Sequence, residues 1–204
     1  SMAHGNLGSA LLDQGKIIQA IDSLRTAIRL DHGNPEAHWN LSLALLLTGN
    51  FEEGWKEYDW RWEAIQKQAK RTYPQPQWDG SDLSGRTILL YSEQGLGDTL
   101  QFIRYVPLVA ARGGKVVVEC RPELRRLLES MPGIALATTG ESLPQFDVHL
   151  PILSLPRVFG TTLERIPARV PYLLPPPDLV QRWREQAGFD RDRLNIGLAW
   201  AGAR

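Results

Sequence analysis

The sequence has little of what disulfide scaffolds, metal centres and membrane spans require. Cys120 is the single cysteine among 204 residues, which excludes an internal disulfide. The four histidines are scattered without metal-ligand spacing, so we expect no metal and no cofactor. No apolar run approaches the roughly 18 residues of a membrane span, and the first residues do not resemble a signal peptide. We therefore expect a cytoplasmic protein.

The chain also lacks an excess of charge. Its 23 lysines and arginines balance its 23 aspartates and glutamates. A neutral balance gives no electrostatic argument for nucleic acid or for an anionic membrane, so we expect neither as a partner. The hydrophobic fraction of 43% is typical of a globular protein with a core.

The first third of the chain contains an internal repeat. Residues 3–8 recur as residues 37–42, an offset of 34, and Gly15 aligns with Gly49 at the same offset. Thirty-four residues is the period of the tetratricopeptide repeat, a helix–turn–helix unit. Apolar residues at helical spacing support two such helix pairs over residues 1–66.

An aromatic face on the last repeat helix predicts how these repeats are covered. Trp55, Tyr58 and Trp62 recur at steps of three and four residues. Two repeats are too few to bury their own faces. We expect the aromatic face to pack against the linker around Trp78 or on the domain that follows, rather than to stack on a ligand.

A strand–helix alternation follows a linker of residues 67–85 that is rich in proline. We predict strands over 87–91, 115–119, 134–137 and 148–152, and helices over 98–112, 122–130 and 179–187, with a short turn near 153–159. Such alternation predicts a Rossmann-like parallel sheet with helices on both faces over residues 86–190. The predicted fold class is thus α/β preceded by an all-α repeat module.

The loop after the first predicted strand has the features of a binding site. Gly95 and Gly97 allow close approach of backbone amides, and the start of the next helix favours anions. Asp98 adds a carboxylate, which is either functional or only a helix cap. Leu100 occupies the third glycine position of a dinucleotide fingerprint, and no Gly-Lys-Ser/Thr sequence follows, which argues against a dehydrogenase and a P-loop.

Several segments together resemble one family. They are Asp-Trp-Arg at 59–61, Pro-Gln-Trp-Asp-Gly at 76–80, Glu-Gln-Gly-Leu-Gly-Asp-Thr-Leu-Gln-Phe at 93–102 and Ile-Gly-Leu-Ala-Trp-Ala-Gly at 196–202. This pattern is similar to bacterial tetratricopeptide proteins with a glycosyltransferase-like domain related to the lipopolysaccharide heptosyltransferases. The resemblance implies a two-lobed GT-B fold, in which this chain holds the amino-terminal lobe that receives the acceptor.

The resemblance also implies roles for individual residues. Asp98 is the candidate general base, and the candidate substrate-binding residues are Glu93, Gln94, Gly95, Gly97, Thr99, Gln101 and Arg104. We expect Arg104 to be tied to the loop or the cleft. Trp200 and Gly202, within residues 191–204, would begin a second lobe that binds a nucleotide-sugar donor. Because that lobe is missing, we expect the chain to be inactive by itself, and its acceptor could be a protein, a lipid-linked sugar or a polysaccharide.

The alternative interpretation is an interaction scaffold. In that case the repeats bind a protein partner and the α/β domain is not catalytic. A transferase lobe predicts a polar, glycine-lined cleft at residues 95–98, whereas a scaffold predicts a groove lined by the repeats. The apolar run 194–201 has no sheet of its own to enter, so we expect it to dock on this chain's surface or on a second copy, making a homodimer.

Overall fold

The helical part of the molecule consists of two helix pairs and a short extension. The computed structural model describes residues 1–65, 71–188, 192 and 194–198. The pairs are α1 (Met2–Asp13) with α2 (Ile17–Leu30) and α3 (Pro35–Leu47) with α4 (Phe51–Glu57), followed by a 3₁₀ turn (Tyr58–Trp60) and α5 (Arg61–Ala64). The predicted helix–turn–helix repeats are therefore confirmed.

Local chemistry sets the ends of these helices. Gly15 and Gly49 end the first helix of each pair with φ of 71° and 81°, which glycine adopts without steric cost. Asn34 begins α3, because its side-chain oxygen accepts the amide of Ala37 at 3.0 Å and Pro35 fits the first helical position. The two pairs share a core of small and aliphatic residues: Ala20, Ile21, Leu24, Ala27, Ala37, Leu41, Ala44 and Leu45.

The second part of the molecule is a four-stranded parallel sheet. Its strands are β1 (Thr87–Tyr91), β2 (Lys115–Cys120), β3 (Ile134–Thr138) and β4 (Val148–Pro151), in the order β3-β2-β1-β4. The helices are α6 (Leu96–Phe102), α7 (Val106–Ala110), α8 (Pro122–Leu128), α9 (Leu155–Val158) and α10 (Pro177–Ala187). This Rossmann-like arrangement confirms the predicted fold class.

The prediction of one helix over residues 98–112 is wrong in detail. The helix begins two residues earlier, with Gly95 as its N-cap, and is interrupted by a 3₁₀ turn at Ile103–Tyr105 before α7 begins. Pro107 explains the interruption, because its ring has no N–H to donate to the preceding turn and clashes with an uninterrupted α-helix.

The two faces of the sheet are covered differently. Ile88, Leu90, Val116 and Val118 point towards a large core that includes α6, α7 and α8. The alternate residues of these strands meet the segments that carry Tyr73, Leu143 and Phe146. Neither segment is helical within the described ranges, so the expectation of helices on both faces is not met there.

The aromatic face of the repeats packs where it was predicted to pack. Tyr58 belongs to the same core as Trp78, and the ring centroids of Trp55 and Phe102 are 6.2 Å apart. Trp62 is buried as well. The linker extends along β4, since the Trp78 amide donates to the His149 carbonyl at 2.9 Å. The prediction that the repeats are covered by the linker and the sheet domain is confirmed.

The apolar run near the carboxyl terminus differs from its prediction. Residues 194–198 form no strand, and Leu194, Ile196 and Leu198 are between 72% and 86% exposed, so they do not dock on this chain. Residues 199–201 lie outside the described ranges, and docking on a second copy stays a prediction. No helix within the described ranges has the length and apolar character that crossing a membrane demands.

Candidate functional site

The strand order makes the carboxyl ends of β1 and β4 the edge of the sheet where a ligand crevice is expected. The chain leaves β1 towards β2 on one side, and β4 returns to pair with β1 on the other. In open α/β sheets, ligands bind at such a change of direction. The loops after the two strands meet here, because the Leu153 amide donates to Glu93 Oε1 at 3.3 Å.

Asp98 lies in the first turn of α6 at this edge of the sheet. Its Oδ2 accepts the Gly95 amide at 2.9 Å, so it caps the helix from the third position rather than accepting the amide of Leu100 or Gln101. The other oxygen, Oδ1, accepts no hydrogen bond from the part of the chain that the structure describes. The carboxylate is half-buried, held by one oxygen and available through the other.

The two glycines of the loop leave its backbone uncovered. Gly95 and Gly97 are both exposed. A Cβ at Gly97 would meet nothing within 4 Å, whereas one at Gly95 would lie 3.1 Å from Asp98 Oδ2. Neither glycine has a positive φ, so their role is not to relieve strain. A side chain at Gly97 would therefore project into open space, and the glycine leaves the backbone before Asp98 uncovered.

Glu93, at the start of the same loop, is buried in an ion pair with the repeat module. Arg61 Nε donates to Glu93 Oε2 at 3.0 Å, and Arg61 Nη2 donates to Glu93 Oε1 at 2.8 Å. The two side chains are 0% and 1% exposed. Burial raises the pKa of the Glu93 carboxyl, although Arg61 acts in the opposite direction. Glu93 therefore faces Arg61 and not an open cleft.

Every N–H of Arg61 has an acceptor. Besides Glu93, the guanidinium donates to the Tyr58 carbonyl at 3.2 Å, to Asp59 Oδ1 at 2.9 Å and to Ser154 Oγ at 2.9 Å. Arg157 Nε lies 2.6 Å from the second oxygen of Asp59. This network joins the last repeat helix to the loops after β1 and β4. Sequence reasoning recognised the motif at 59–61 but missed its contacts, which connect residues 32 to 95 positions apart.

Tyr58 is the second contribution of the repeats that sequence reasoning missed. Burial raises the pKa of Tyr58 to about 12, and the charges of Glu93 and Asp98 add to the rise while Arg61 and Gln94 oppose it. Its hydroxyl therefore lies in the electrostatic field of the loop. The helical spacing of Tyr58 predicted only packing, because no local pattern shows which loop an aromatic residue meets.

The remaining predicted site residues divide into buried and accessible ones. Thr99 is buried, and its hydroxyl is 3.1 Å from Ser92 Oγ and 3.3 Å from the Gly95 carbonyl. Gln94 Nε2 is buried and meets no acceptor at full hydrogen-bond geometry, although the side chain is close enough to Tyr58 to lower the pKa of its hydroxyl. Gln101 is exposed on the first turns of α6.

Arg104 is bound by a segment outside the loop. Its Nη1 donates to the Pro167 carbonyl at 3.0 Å, and its guanidinium carbon lies 4.5 Å from the centre of the Tyr172 ring. Tyr172 in turn donates to the Leu100 carbonyl at 3.1 Å. These contacts attach residues 167–172 to α6, and a role of Arg104 in binding substrate stays a prediction.

Two predicted donor-side residues cannot be placed. Trp200 and Gly202 lie outside the described residues. Among the residues that are described, no group of three histidine, cysteine, aspartate or glutamate side chains could hold a metal ion.

A separate groove lies on the repeats. It has a volume of about 520 Å³ between α1 and α3. Asn6 and Asn40, which occupy equivalent positions of the two repeats, both line it, together with Ser9, Asn34 and Glu36. The groove is polar and open. The carboxamides of Asn6 and Asn40 line it one repeat apart.

Comparison with known proteins supports the repeats and gives one relative. Residues 8–49 match the TPR repeat, so the chain contains TPR repeats. The chain is 30% identical over 224 residues to Protein FlbA of Caulobacter vibrioides, which covers 98% of this chain and 37% of FlbA. It therefore spans little more than a third of this relative's length.

A solved structure is also similar in part. A mutant of Thermobaculum terrenum O-GlcNAc transferase matches 58% of this chain and 23% of its own, with a TM-score of 0.29 and 21% identity. A similarity of this size supports no argument about function.

Proposed function

We propose that this chain is the acceptor-binding part of a glycosyltransferase, in which Asp98 is the general base. The observation that supports this proposal best is the state of the Asp98 carboxylate. One oxygen is fixed by the Gly95 amide, and the other accepts no hydrogen bond from the described residues, directly after the exposed Gly97. The related heptosyltransferases, which the loop sequence resembles, are the source of the assigned reaction.

The geometry suits an inverting transfer. The base must lie within hydrogen-bond reach of the acceptor hydroxyl and take its proton as that oxygen attacks the anomeric carbon. The nucleotide diphosphate of the donor leaves from the opposite face. Asp98 is held in orientation by its own helix, and the Gln94 side chain of the same loop lies beside Tyr58. The donor would bind at a second lobe beginning near Trp200 and Gly202.

Binding and turnover test this proposal separately. Methyl glycosides of hexoses and N-acetylhexosamines, titrated into the ¹⁵N-labelled chain, should shift the amide resonances of Gly95, Gly97 and Gln101. In the full-length protein, release of nucleotide from a panel of nucleotide-sugars should depend on Asp98. A loop that responds to no acceptor, together with turnover that is unchanged in D98N, would refute the proposal.

A protein-binding role of the repeats is the second candidate. It is favoured by the groove between α1 and α3, whose carboxamides at Asn6 and Asn40 can hydrogen-bond an extended peptide backbone. A protein acceptor would unite both roles. In a peptide-array experiment, the wild type and D98N should bind peptides that the variant N6A/N40A no longer binds. Equal binding by all three proteins would exclude the groove as the peptide site.

A second copy of this chain is the last proposed partner, and it would bind through residues 194–198. Three large apolar side chains in five residues are exposed there, a pattern that favours contact with another surface. We expect a concentration-dependent dimer in sedimentation equilibrium that L194E/L198E abolishes. A monomer at all concentrations would remove the homodimer from the proposal.

A further inference from the structure

Arg61 is one of the residues by which the repeat module contacts the loop that precedes Asp98. It extends from α5 to the carboxyl ends of β1 and β4, a position that ligands take in other open α/β sheets. Three of its five N–H groups donate to Glu93 and Ser154 there, the other two donate to Tyr58 and Asp59 of the repeat module, and none of its side chain is exposed. An arginine so fully bonded fixes the geometry of its acceptors more strictly than a lysine could.

Two of those five bonds end on Glu93, five residues before Asp98. Glu93 Oε1 also accepts the Leu153 amide, which links the loops after β1 and β4. Between Glu93 and α6, the backbone is supported by the bond from the Gly95 amide to Asp98 and by that from the Thr99 amide to the Gly95 carbonyl at 3.2 Å. The loop is therefore anchored at one end by Arg61 and at the other end by its own helix.

We infer that Arg61 is a positioning residue for the Asp98 loop, so that the helical repeats complete a site otherwise built by the sheet domain. The inference rests on the proposed function only in treating this loop as a site. The order of the loop is measured without any substrate, so the inference and the proposed function can fail independently.

A pair of variants separates positioning from stability. R61M leaves the Glu93 carboxylate buried without its cation, and both the fold and the loop should suffer. R61M/E93M replaces the whole buried pair with apolar side chains of similar length, a change that often preserves stability. Asp59 keeps Arg157, and Ser154 keeps its hydrogen bond to Asp59, so the double variant leaves no new buried charge.

Hydrogen exchange of single amides gives the decisive measurement. In R61M/E93M we expect the unfolding midpoint to recover towards that of the wild type, while the Gly95 and Thr99 amides exchange about tenfold or more faster, since their loop has lost its anchor. The amide of Val118 in β2 should not change. R126M, which removes an exposed arginine paired with Asp178, is the matched control and should leave the loop amides protected.

The inference is overturned if loop protection and stability recover together in R61M/E93M, because Arg61 would then contribute only packing and charge. Should the double variant fail to fold, E93Q decides the question. It keeps the shape of the side chain but presents an amide N–H₂ to the guanidinium, and we expect the same faster exchange of Gly95 and Thr99. Wild-type exchange in a folded E93Q would contradict the inference.

Discussion

Two carboxylates five residues apart in one loop have opposite surroundings. Glu93 is 1% exposed, and both of its oxygens accept hydrogen bonds from a buried arginine. Asp98 is half-buried, and one of its oxygens has no donor among the described residues. The sequence motif contains both acids without distinguishing them. The difference is that one acid is committed to a buried ion pair, whereas the other keeps an oxygen without a donor among the described residues.

Removing Glu93 should have the largest effect on this comparison. E93A leaves Arg61 in the protein interior without its main partner, and breaking a buried ion pair in this way costs about 3 to 5 kcal/mol. Urea unfolding of the purified chain measures the loss. E164A, which removes an exposed carboxylate bonded to Thr162, is the control and should unfold at nearly the same urea concentration as the wild type. Equal losses in both variants would mean that the buried pair adds no stability.

Neutralising Asp98 should affect activity and leave stability nearly unchanged, the reverse of what we expect for Glu93. D98N keeps an oxygen that can accept the Gly95 amide, so the free energy of unfolding should change by less than about 1 kcal/mol. If Asp98 is the general base as proposed, nucleotide release by the full-length protein should fall about a hundredfold or more. Thermal unfolding and initial rates measure the two effects. Full activity in a folded D98N would refute the role of Asp98.

Thr99 tests whether the buried part of the loop is structural throughout. T99V preserves the shape of the side chain but removes the hydroxyl that bonds to Ser92 and the Gly95 carbonyl, at a cost of about 1 to 2 kcal/mol. Acceptor binding should not change in the NMR titration. T26V, which removes an exposed hydroxyl from α2, is the control with little expected effect. A selective loss of binding in T99V would return Thr99 to the substrate-binding residues.

Gln101 should give the smallest change in stability. It is exposed one helical turn after Asp98 and therefore lies on the same side of α6. Q101A should alter the free energy of unfolding by no more than about 0.5 kcal/mol, and should weaken acceptor binding if the open part of the loop is the site. Q181A in α10 provides a matched exposed glutamine. Unchanged binding in Q101A would confine the site to residues 94–98.

The regular parts of the fold could be predicted because their signals are local. The 34-residue period gave the helix pairs, and apolar runs gave all four strands to within one residue. The apolar periodicity of residues 98–112 shows neither the helix start at Gly95 nor the interruption before Pro107, so both differ from the prediction. The non-helical segments that cover the second face of the sheet were not predicted. A strand pattern shows that a face is buried, but it does not show which residues bury it.

The candidate site was predictable only as a stretch of sequence. The glycines and Asp98 could be identified from a strand–loop–helix pattern, and the same pattern places them at the carboxyl end of β1. The contributions of Arg61 and Tyr58 could not be predicted, since both residues come from a different module and meet the loop only in the folded chain. The contact with Arg61 is also what gives Glu93 surroundings that differ from those of Asp98.

The reach of the Arg61 network has a consequence for the order of folding. Arg61 bonds to a residue 93 positions away, whereas the repeat helices are stabilised by contacts with their neighbours in sequence. Local contacts form early and distant ones late, because a long loop must close before they form. Desolvation of the guanidinium should therefore follow the assembly of the sheet. Mutation of Arg61 should accelerate unfolding and leave the refolding rate nearly unchanged. This arginine would then slow the unfolding of a structure that is already formed, without helping it to form.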